Sequence, residues 1–216
     1  MERTESKLII WDFDGTLVDS RMTSLEIYNQ LASEMGLKPV DDPNRVRGMT
    51  SREFFQTHRI SFWRLPRLVR RFQESFARVA DQVPLFPGVS EVLTRLVSAR
   101  IRLGILSSNR EDNIRKCLRA NGVEAHFAFV VGHPSLFGKA RLLRRISRAE
   151  RIAPEAVVYV GDEVRDIEAA HRAGIRSVAV VWGFHQQELL RGARPTHMIT
   201  EPHQLLDQLQ IPPAEG

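Results

Sequence analysis

The feature that most constrains the fold of this chain is the alternation of short apolar runs with helical segments after residue 85. Runs typical of β-strands occupy 101–106, 127–131, 156–160 and 177–181, and segments with helical spacing separate them. Strands that alternate with helices are typical of parallel βαβ units. The sequence therefore predicts an α/β fold with a Rossmann-like, doubly wound parallel sheet.

An earlier apolar run, 7–13, predicts a first buried strand that stops at two acids, Asp12 and Asp14. Residues two apart share a face of a strand, so both carboxylates start out on the same side. Burying two carboxylates is costly unless a cation pairs them or one of them is protonated for catalysis. The motif alone leaves open a second interpretation, an exposed strand end with two solvated acids.

The segment that follows this first strand has the pattern of helices only. Ser20 is placed to cap a first helix, residues 37–48 look like a polar loop, and Thr50 with Glu53 matches a capping box. Residues 64–79 follow as a strongly amphipathic helix. The sequence therefore predicts an all-helical insert directly after the first strand.

This pattern predicts two domains. Residues 1–17 and 85–216 would form the α/β core, and residues 18–84 the helical insert. An insert at this point would hang over the carboxyl ends of the strands, where open α/β sheets bind their ligands.

Composition narrows the class of protein further. The chain has 216 residues, 43% of them hydrophobic, and a single cysteine, Cys117, which we expect to be a buried core thiol. No apolar run is long enough to span a bilayer and the polar N-terminus does not resemble a signal peptide, so we expect a soluble cytoplasmic protein without a membrane partner. The net charge of +5 suits an anionic substrate, and without a recognised binding motif we expect no nucleic-acid partner.

Polar residues follow the other predicted strands where each one ends. They are Ser107 and Ser108 after the second strand, Lys139 after the third, and Asp162, Glu163 and Asp166 after the fourth. In one parallel sheet these ends meet at the same edge as Asp12 and Asp14. One divalent metal and one phosphoryl group would neutralise such a cluster.

In this order the motifs resemble the haloacid dehalogenase superfamily of phosphohydrolases. Asp-x-Asp-Gly-Thr at 12–16 and Gly-Asp-x-x-x-Asp at 161–166 are the most specific matches, with the serine and the lysine between them. The helical insert resembles the C1-type cap of the phosphoglycolate phosphatase-like branch. The resemblance covers essentially the whole chain and implies a Mg²⁺-dependent phosphatase, monomeric or homodimeric, acting on a small phosphorylated metabolite.

The resemblance also implies a role for each matching residue. Asp12 would attack phosphorus and form an aspartyl-phosphate, and Asp14 would be the general acid and base. Lys139 would offset the charge of the phosphoryl group and hold Asp12 ionised. The other implied roles are metal binding by Asp12, Asp14 and Asp162, phosphate binding by Gly15, Thr16, Ser107, Ser108 and Lys139, and support of the site by Glu163 and Asp166. Most arginines of the insert would lie on a solvated helix face, but Arg47, in a loop that could face the site, is a candidate for binding the substrate.

Several alternatives stay open at this level. Either Ser107 or Ser108 is the residue that contacts the phosphoryl group, and Glu163 is either a metal neighbour or a helix-start acid. Ser107 stands where threonine is more frequent in the family, which leaves the subfamily open. A phosphosugar mutase with the same aspartyl-phosphate, or a basic binding protein on the same scaffold, remains an alternative to the phosphatase.

Overall fold

The computed structural model describes residues 7–133 and 138–211, and a six-stranded sheet in the order β3-β2-β1-β4-β5-β6 lies at its centre. Every neighbouring pair of strands is parallel. The strands are β1 (Leu8–Trp11), β2 (Arg102–Ser107), β3 (Phe129–Gly132), β4 (Val157–Gly161), β5 (Arg176–Val180) and β6 (His197–Ile199). The predicted doubly wound α/β fold is confirmed.

Ten α-helices connect or cover these strands within the described ranges. They are α1 (Arg21–Met35), α2 (Pro43–Arg47), α3 (Ser51–Thr57), α4 (Leu65–Val79), α5 (Val89–Ser98), α6 (Glu111–Ala120), α7 (Lys139–Ala149), α8 (Val164–Ala173), α9 (Gln187–Gly192) and α10 (Gln204–Gln208). Among the helices that the structure describes, none is long and apolar enough to span a membrane.

The central strand β1 is buried on both faces. Ile9 and Trp11 belong to one apolar cluster, whereas Leu8 and Ile10 belong to another. This split follows from the twofold periodicity of side chains along a strand. A strand covered on both sides reads as a continuous apolar run, which is why the sequence identified it.

The structure corrects three details of the predicted elements. Regular strand pairing in β1 ends at Trp11 and not at Phe13, because the backbone turns away through Gly15, which has φ of +75°. The predicted loop 37–48 contains the short helix α2, capped by Asp42, whose side chain accepts from the backbone N–H two residues on. The helix α9 was not predicted.

Within residues 18–84 the described elements are helical, and the predicted capping box of Thr50 at the start of α3 is present. The two ends of this segment lie side by side. Asp19 N donates to Pro84 O at 2.9 Å, and Phe86 N donates to Leu17 O at 3.0 Å. The chain thus leaves and re-enters the α/β part at one place, immediately beyond the first acid pair.

Candidate active site

Three buried carboxylates meet at the carboxyl edge of the sheet. Asp12 follows β1, Asp162 follows the neighbouring strand β4, and Asp166 lies in the first turn of α8. One oxygen of each lies within 4.8 Å of the others. The parallel pairing of β1 with β4 brings together acids that are 150 residues apart in the chain, as the sequence predicted.

Lys139 is the cation at the centre of this group. Its Nζ lies 2.9 Å from Asp12 Oδ2 and 2.6 Å from Asp166 Oδ1, and its side chain is only 7% exposed. Burial acts to lower the pKa of Lys139, but the two carboxylates outweigh it and the pKa is raised. The lysine is therefore held as a charged ammonium against Asp12.

Asp12 keeps one oxygen free of hydrogen bonds. Its Oδ1 is buried without a partner among the described residues. Burial raises the pKa of Asp12 to about 7, although Lys139 acts in the opposite direction. One ammonium therefore does not fully offset the negative charge of the acids at this edge. The free oxygen of Asp12 faces a site that a further cation or a phosphoryl group would complete.

Asp162 is held by two donors from different parts of the core. Thr16 Oγ1 donates to Asp162 Oδ1 at 2.8 Å, and Phe184 N donates to Oδ2 at 2.7 Å. Burial still raises its pKa well above the usual value. Gly15 allows this approach, because a Cβ at that position would lie 2.3 Å from Asp162 Oδ2. The hydroxyl of Thr16 is thus engaged by the acid.

Asp14 lies outside the three-acid group and has its own partner. Asn109 Nδ2 donates to Asp14 Oδ2 at 2.9 Å, while Asp14 Oδ1 is buried without a partner among the described residues. Burial raises the pKa of Asp14, and the hydrogen bond from Asn109 opposes that shift. The Ser20 hydroxyl also acts to lower this pKa, although Ser20 Oγ has no hydrogen-bond partner within the part of the chain that the structure describes.

The two serines after β2 have different surroundings. Ser107 is buried, and its Oγ accepts from Asn109 N at 3.0 Å, which leaves its hydroxyl proton available. Ser108 is half-buried, and its Oγ accepts from Arg165 Nη2 at 3.4 Å. Both positions lie at the edge where Asp12 emerges.

Glu163 is the N-cap residue of helix α8, and its carboxylate is already paired with other groups. Its side chain accepts from the backbone of Asp166, and Asp166 Oδ2 accepts from Glu163 N at 3.1 Å. Glu163 also pairs with Arg165 at 2.6 Å. Burial would raise the pKa of Glu163, but Arg165, His185 and Lys139 outweigh it and lower the pKa to about 2.

Arg47 lies where the insert meets the sheet. Its Nη2 donates to Val181 O at 3.3 Å, and its backbone carbonyl accepts from Gln186 N at 2.9 Å. Its Nε is buried without a hydrogen-bond partner among the described residues. The side chain is therefore near the carboxyl edge, but its part in substrate binding stays a prediction.

No role in the site was predicted from the sequence for two residues that lie in it, Asn109 and Arg165. Asn109 hydrogen-bonds Asp14, and Arg165 is a half-buried cation between Glu163 and Ser108. The position of Arg165 inside the Gly-Asp-x-x-x-Asp segment was a usable signal. The position of Asn109 shortly after β2, the strand next to β1, was likewise a signal for its contact with Asp14, although 95 residues separate them.

The residues present fit a hard divalent cation such as Mg²⁺. Two carboxylates, Asp12 and Asp162, offer oxygens at a buried edge, and Asp12 Oδ1 has no other partner among the described residues. Few carboxylates plus water and substrate oxygens are the usual ligands of this ion. Asp166 suits the role less well, because the Lys139 ammonium lies 2.6 Å from its Oδ1 and would repel a second cation there, whereas the two donors that Asp162 meets are neutral.

A Rossmann-like parallel sheet with acids and a buried lysine at its carboxyl edge, and a helical insert after the first strand, defines the class of α/β phosphohydrolases. The chain belongs to the haloacid dehalogenase-like hydrolase family, whose model matches residues 9–180. It is a phosphoric monoester hydrolase with a small phosphorylated substrate.

Relatives support this assignment at the level of the whole chain. The chain is 39% identical over 200 residues to a phosphoglycolate phosphatase of Synechococcus elongatus, covering 92% of this chain and 94% of the relative. A phosphoglycolate phosphatase of Xanthomonas campestris is 32% identical over 82% of this chain and 84% of its own length. A haloacid dehalogenase-like family hydrolase of Streptococcus pneumoniae has the same fold, with a TM-score of 0.79 at 23% identity, covering 95% of this chain and 99% of its own.

Proposed function

We propose that this protein is a Mg²⁺-dependent phosphatase that hydrolyses 2-phosphoglycolate, or a similarly small organic phosphate, through an aspartyl-phosphate on Asp12. The observation that carries the proposal is that Asp12 is buried, with one oxygen held by Lys139 and the other without a partner among residues 7–133 and 138–211. The relative in Synechococcus elongatus, named phosphoglycolate phosphatase and similar over nearly its full length, supports this substrate.

The metal would be held by Asp12, Asp162 and the backbone carbonyl of Asp14. When bound, Mg²⁺ offsets the charge of the acids and of the phosphoryl oxygens. Lys139 would share that work, because it contacts both Asp12 and Asp166 and carries a full positive charge. Asp166 would act by holding Lys139 in place, and Glu163 by fixing the start of helix α8.

In the first step a carboxylate oxygen of Asp12 forms a bond to phosphorus while the bond between phosphorus and the leaving oxygen breaks. Asp14 gives its proton to that leaving oxygen. In the second step Asp14 takes a proton from water, the water oxygen forms a bond to phosphorus while the bond between phosphorus and the Asp12 oxygen breaks, and inorganic phosphate leaves. Both aspartates are then restored.

Phosphate recognition in this proposal comes from the ends of β1 and β2 together with helix α7. Ser107 is favoured over Ser108, because it is buried at the end of β2, next to β1, whereas the half-buried Ser108 contacts Arg165. Gly15 and Thr16 stay predicted phosphate-binding positions through their backbone. Lys139 would contact the phosphoryl oxygens from the side of Asp12.

Residues 18–84 would serve as a cap that excludes water during the reaction. The backbone hydrogen bonds between Asp19 and Pro84 and between Phe86 and Leu17 join the two ends of this segment, which supports treating it as a separate cap. Arg47 and Arg165 are the cations that would meet a substrate carboxylate, one from the insert and one from the core.

The test is phosphate release from a panel of phosphorylated metabolites that includes 2-phosphoglycolate, with Mg²⁺ and with EDTA. We expect turnover that requires Mg²⁺ and a loss of at least about 1,000-fold in Asp12→Asn, because the substitution removes the nucleophile. Exposed Glu168, on α8, supplies the control Glu168→Gln, which should keep full activity.

Equal turnover in EDTA, or full activity in Asp12→Asn, would overturn the proposal. Turnover of a sugar phosphate that depends on a bisphosphate activator and releases little phosphate would instead indicate the mutase. No turnover of any phosphate ester would favour a binding protein.

A further inference from the structure

We infer that Gln73, on helix α4 of the insert, is a positioning residue that orients Asp14 through a buried chain of amides, Gln73–Asn113–Asn109. The inference rests on the proposed role of Asp14 as the proton donor to the leaving oxygen. It assigns a function to polar groups of the insert and of helix α6 that touch neither substrate nor metal in the proposed reaction.

Three side-chain amides form this chain, and all are buried. Exposed fractions are 7% for Gln73, 1% for Asn109 and 3% for Asn113. Asn113 Nδ2 lies 3.2 Å from Gln73 Oε1 and 3.0 Å from Asn109 Oδ1. Buried amides are costly unless their groups are paired, so such a chain stays ordered only while its members satisfy one another.

Backbone groups determine which way each amide points. Arg110 N–H can only donate, and it lies 2.8 Å from the Asn109 side chain and 3.1 Å from the Gln73 side chain, so both atoms it meets are oxygens. Ser108 O can only accept, and it meets Gln73 Nε2 at 3.2 Å. The orientation of both amides therefore follows from neighbours that have one possible role each.

This orientation decides what Asn109 presents to Asp14. Because Asn109 Oδ1 faces Arg110 N and Asn113 Nδ2, its amide N–H group must face Asp14 Oδ2, at 2.9 Å. Oδ2 is thus an acceptor, and a proton on this carboxyl group is directed to Oδ1. That oxygen is buried and free of other hydrogen bonds within the described residues, so the chain of amides places the transferable proton on it.

Gln73 makes this arrangement depend on the insert. Its side chain joins helix α4 to Ser108 O, Arg110 N and Asn113, which all lie around the turn between β2 and α6. Loss of the Gln73 side chain would leave Asn113 with one fewer acceptor and Arg110 N with one fewer partner. Asn109 Oδ1 would keep Arg110 N at 2.8 Å and Asn113 Nδ2 at 3.0 Å, and Asn113 would keep the backbone carbonyl of Gln73 at 3.1 Å. The insert would no longer hold Ser108 O and Arg110 N through a side chain, so the turn that carries Asn109 would direct its N–H group towards Asp14 less firmly.

The experiment compares two substrates whose leaving groups differ in their need for a proton. The alkoxide leaving group of 2-phosphoglycolate is strongly basic, whereas the nitrophenolate of 4-nitrophenyl phosphate is weakly basic and leaves with little help from an acid. The variants are Gln73→Met, which keeps length and volume, and Asn113→Leu, which interrupts the chain from the core side. The kcat and KM are measured for both substrates with Mg²⁺.

Two control variants separate positioning from damage to the fold. Asn121→Leu removes an amide at the end of helix α6 that bonds Val83 O and Cys117 O. Gln56→Met changes an exposed glutamine of the insert. Circular dichroism and urea unfolding of every variant report the fold directly.

We expect Gln73→Met and Asn113→Leu to lower kcat/KM for 2-phosphoglycolate by about tenfold or more, and kcat/KM for 4-nitrophenyl phosphate by less than about threefold. The quotient kcat/KM reports the first step, in which the leaving group departs, whereas the second step uses Asp14 with both substrates. Both control variants should leave the ratio of the two kcat/KM values unchanged. This selective loss supports the inference, because a merely structural defect lowers both rates together.

Equal losses with both substrates, unchanged kinetics, or loss of the fold in both Gln73→Met and Asn113→Leu would overturn the inference alone. Wild-type protein that releases no phosphate from either ester would overturn the proposed function, and with it the inference. The wild-type measurement therefore distinguishes the two failures.

Discussion

Asp166→Asn is the substitution for which the structure best defines the expected loss in the free energy of unfolding. Asp166 is 1% exposed, with Oδ1 at 2.6 Å from Lys139 Nζ and Oδ2 at 3.1 Å from Glu163 N. Both neighbours are donors, so the carboxylate satisfies both. An amide of the same shape has one oxygen and one N–H group, and either orientation places a donor against a donor.

The magnitude follows from these two contacts. A hydrogen bond to a charged group contributes about 1.5–3 kcal/mol, and an unsatisfied buried donor costs about 1–3 kcal/mol. Breaking a buried ion pair costs about 3–5 kcal/mol. Lys139 retains Asp12 as a partner at 2.9 Å, and the loss of one negative charge lessens the repulsion that Asp166 exerts on Asp12 and Asp162. Both effects place the expected loss at the lower end, about 3 kcal/mol.

The assay is urea unfolding in EDTA, followed by tryptophan fluorescence, with the free energy of unfolding taken by linear extrapolation. The matched control is Glu168→Gln on the same helix, which loses an ion pair with Arg172 at 3.5 Å between exposed side chains. It should cost less than about 0.5 kcal/mol. A loss below about 1 kcal/mol for Asp166→Asn would refute the argument that Asp166 holds Lys139.

The remaining predictions concern Gly15, Cys117 and Thr50. Gly15→Ala should abolish activity or folding, because its Cβ would meet Asp162 Oδ2 at 2.3 Å, whereas Gly122→Ala, with φ of +71° and open space, should cost only about 1 kcal/mol in urea unfolding. Burial raises the pKa of Cys117 to about 12, so its thiol should resist a disulfide reagent at pH 8 until urea unfolds the chain. Because the unfolded thiol ionises near pH 9 and the folded one does not, this group should lower the free energy of unfolding as pH rises from 9 towards 12. Thr50→Ala removes the N-cap of α3 and should lower that free energy by about 1 kcal/mol without changing kcat.

Much of the site was predictable because its residues follow strands. Asp12, Ser107 and Asp162 each stand at a strand end, and parallel pairing brings such ends to one edge whatever lies between them. The lysine at the start of α7 was predictable by resemblance, and the structure places its ammonium between two carboxylates. The short helices α2 and α9 were missed, since five or six residues give little periodicity to detect.

The sequence by itself determined the parallel sheet, the helical segment after the first strand and the acids at the carboxyl edge, because strand runs and helical spacing are local patterns. Only the tertiary structure decided which group each acid meets. Asp14 meets Asn109, Asp162 meets Thr16 and the Phe184 N–H, and Asp166 meets Lys139. These pairings depend on side-chain orientation across elements far apart in the chain, and burial makes each of them decisive, since a buried polar atom must find a partner in the protein.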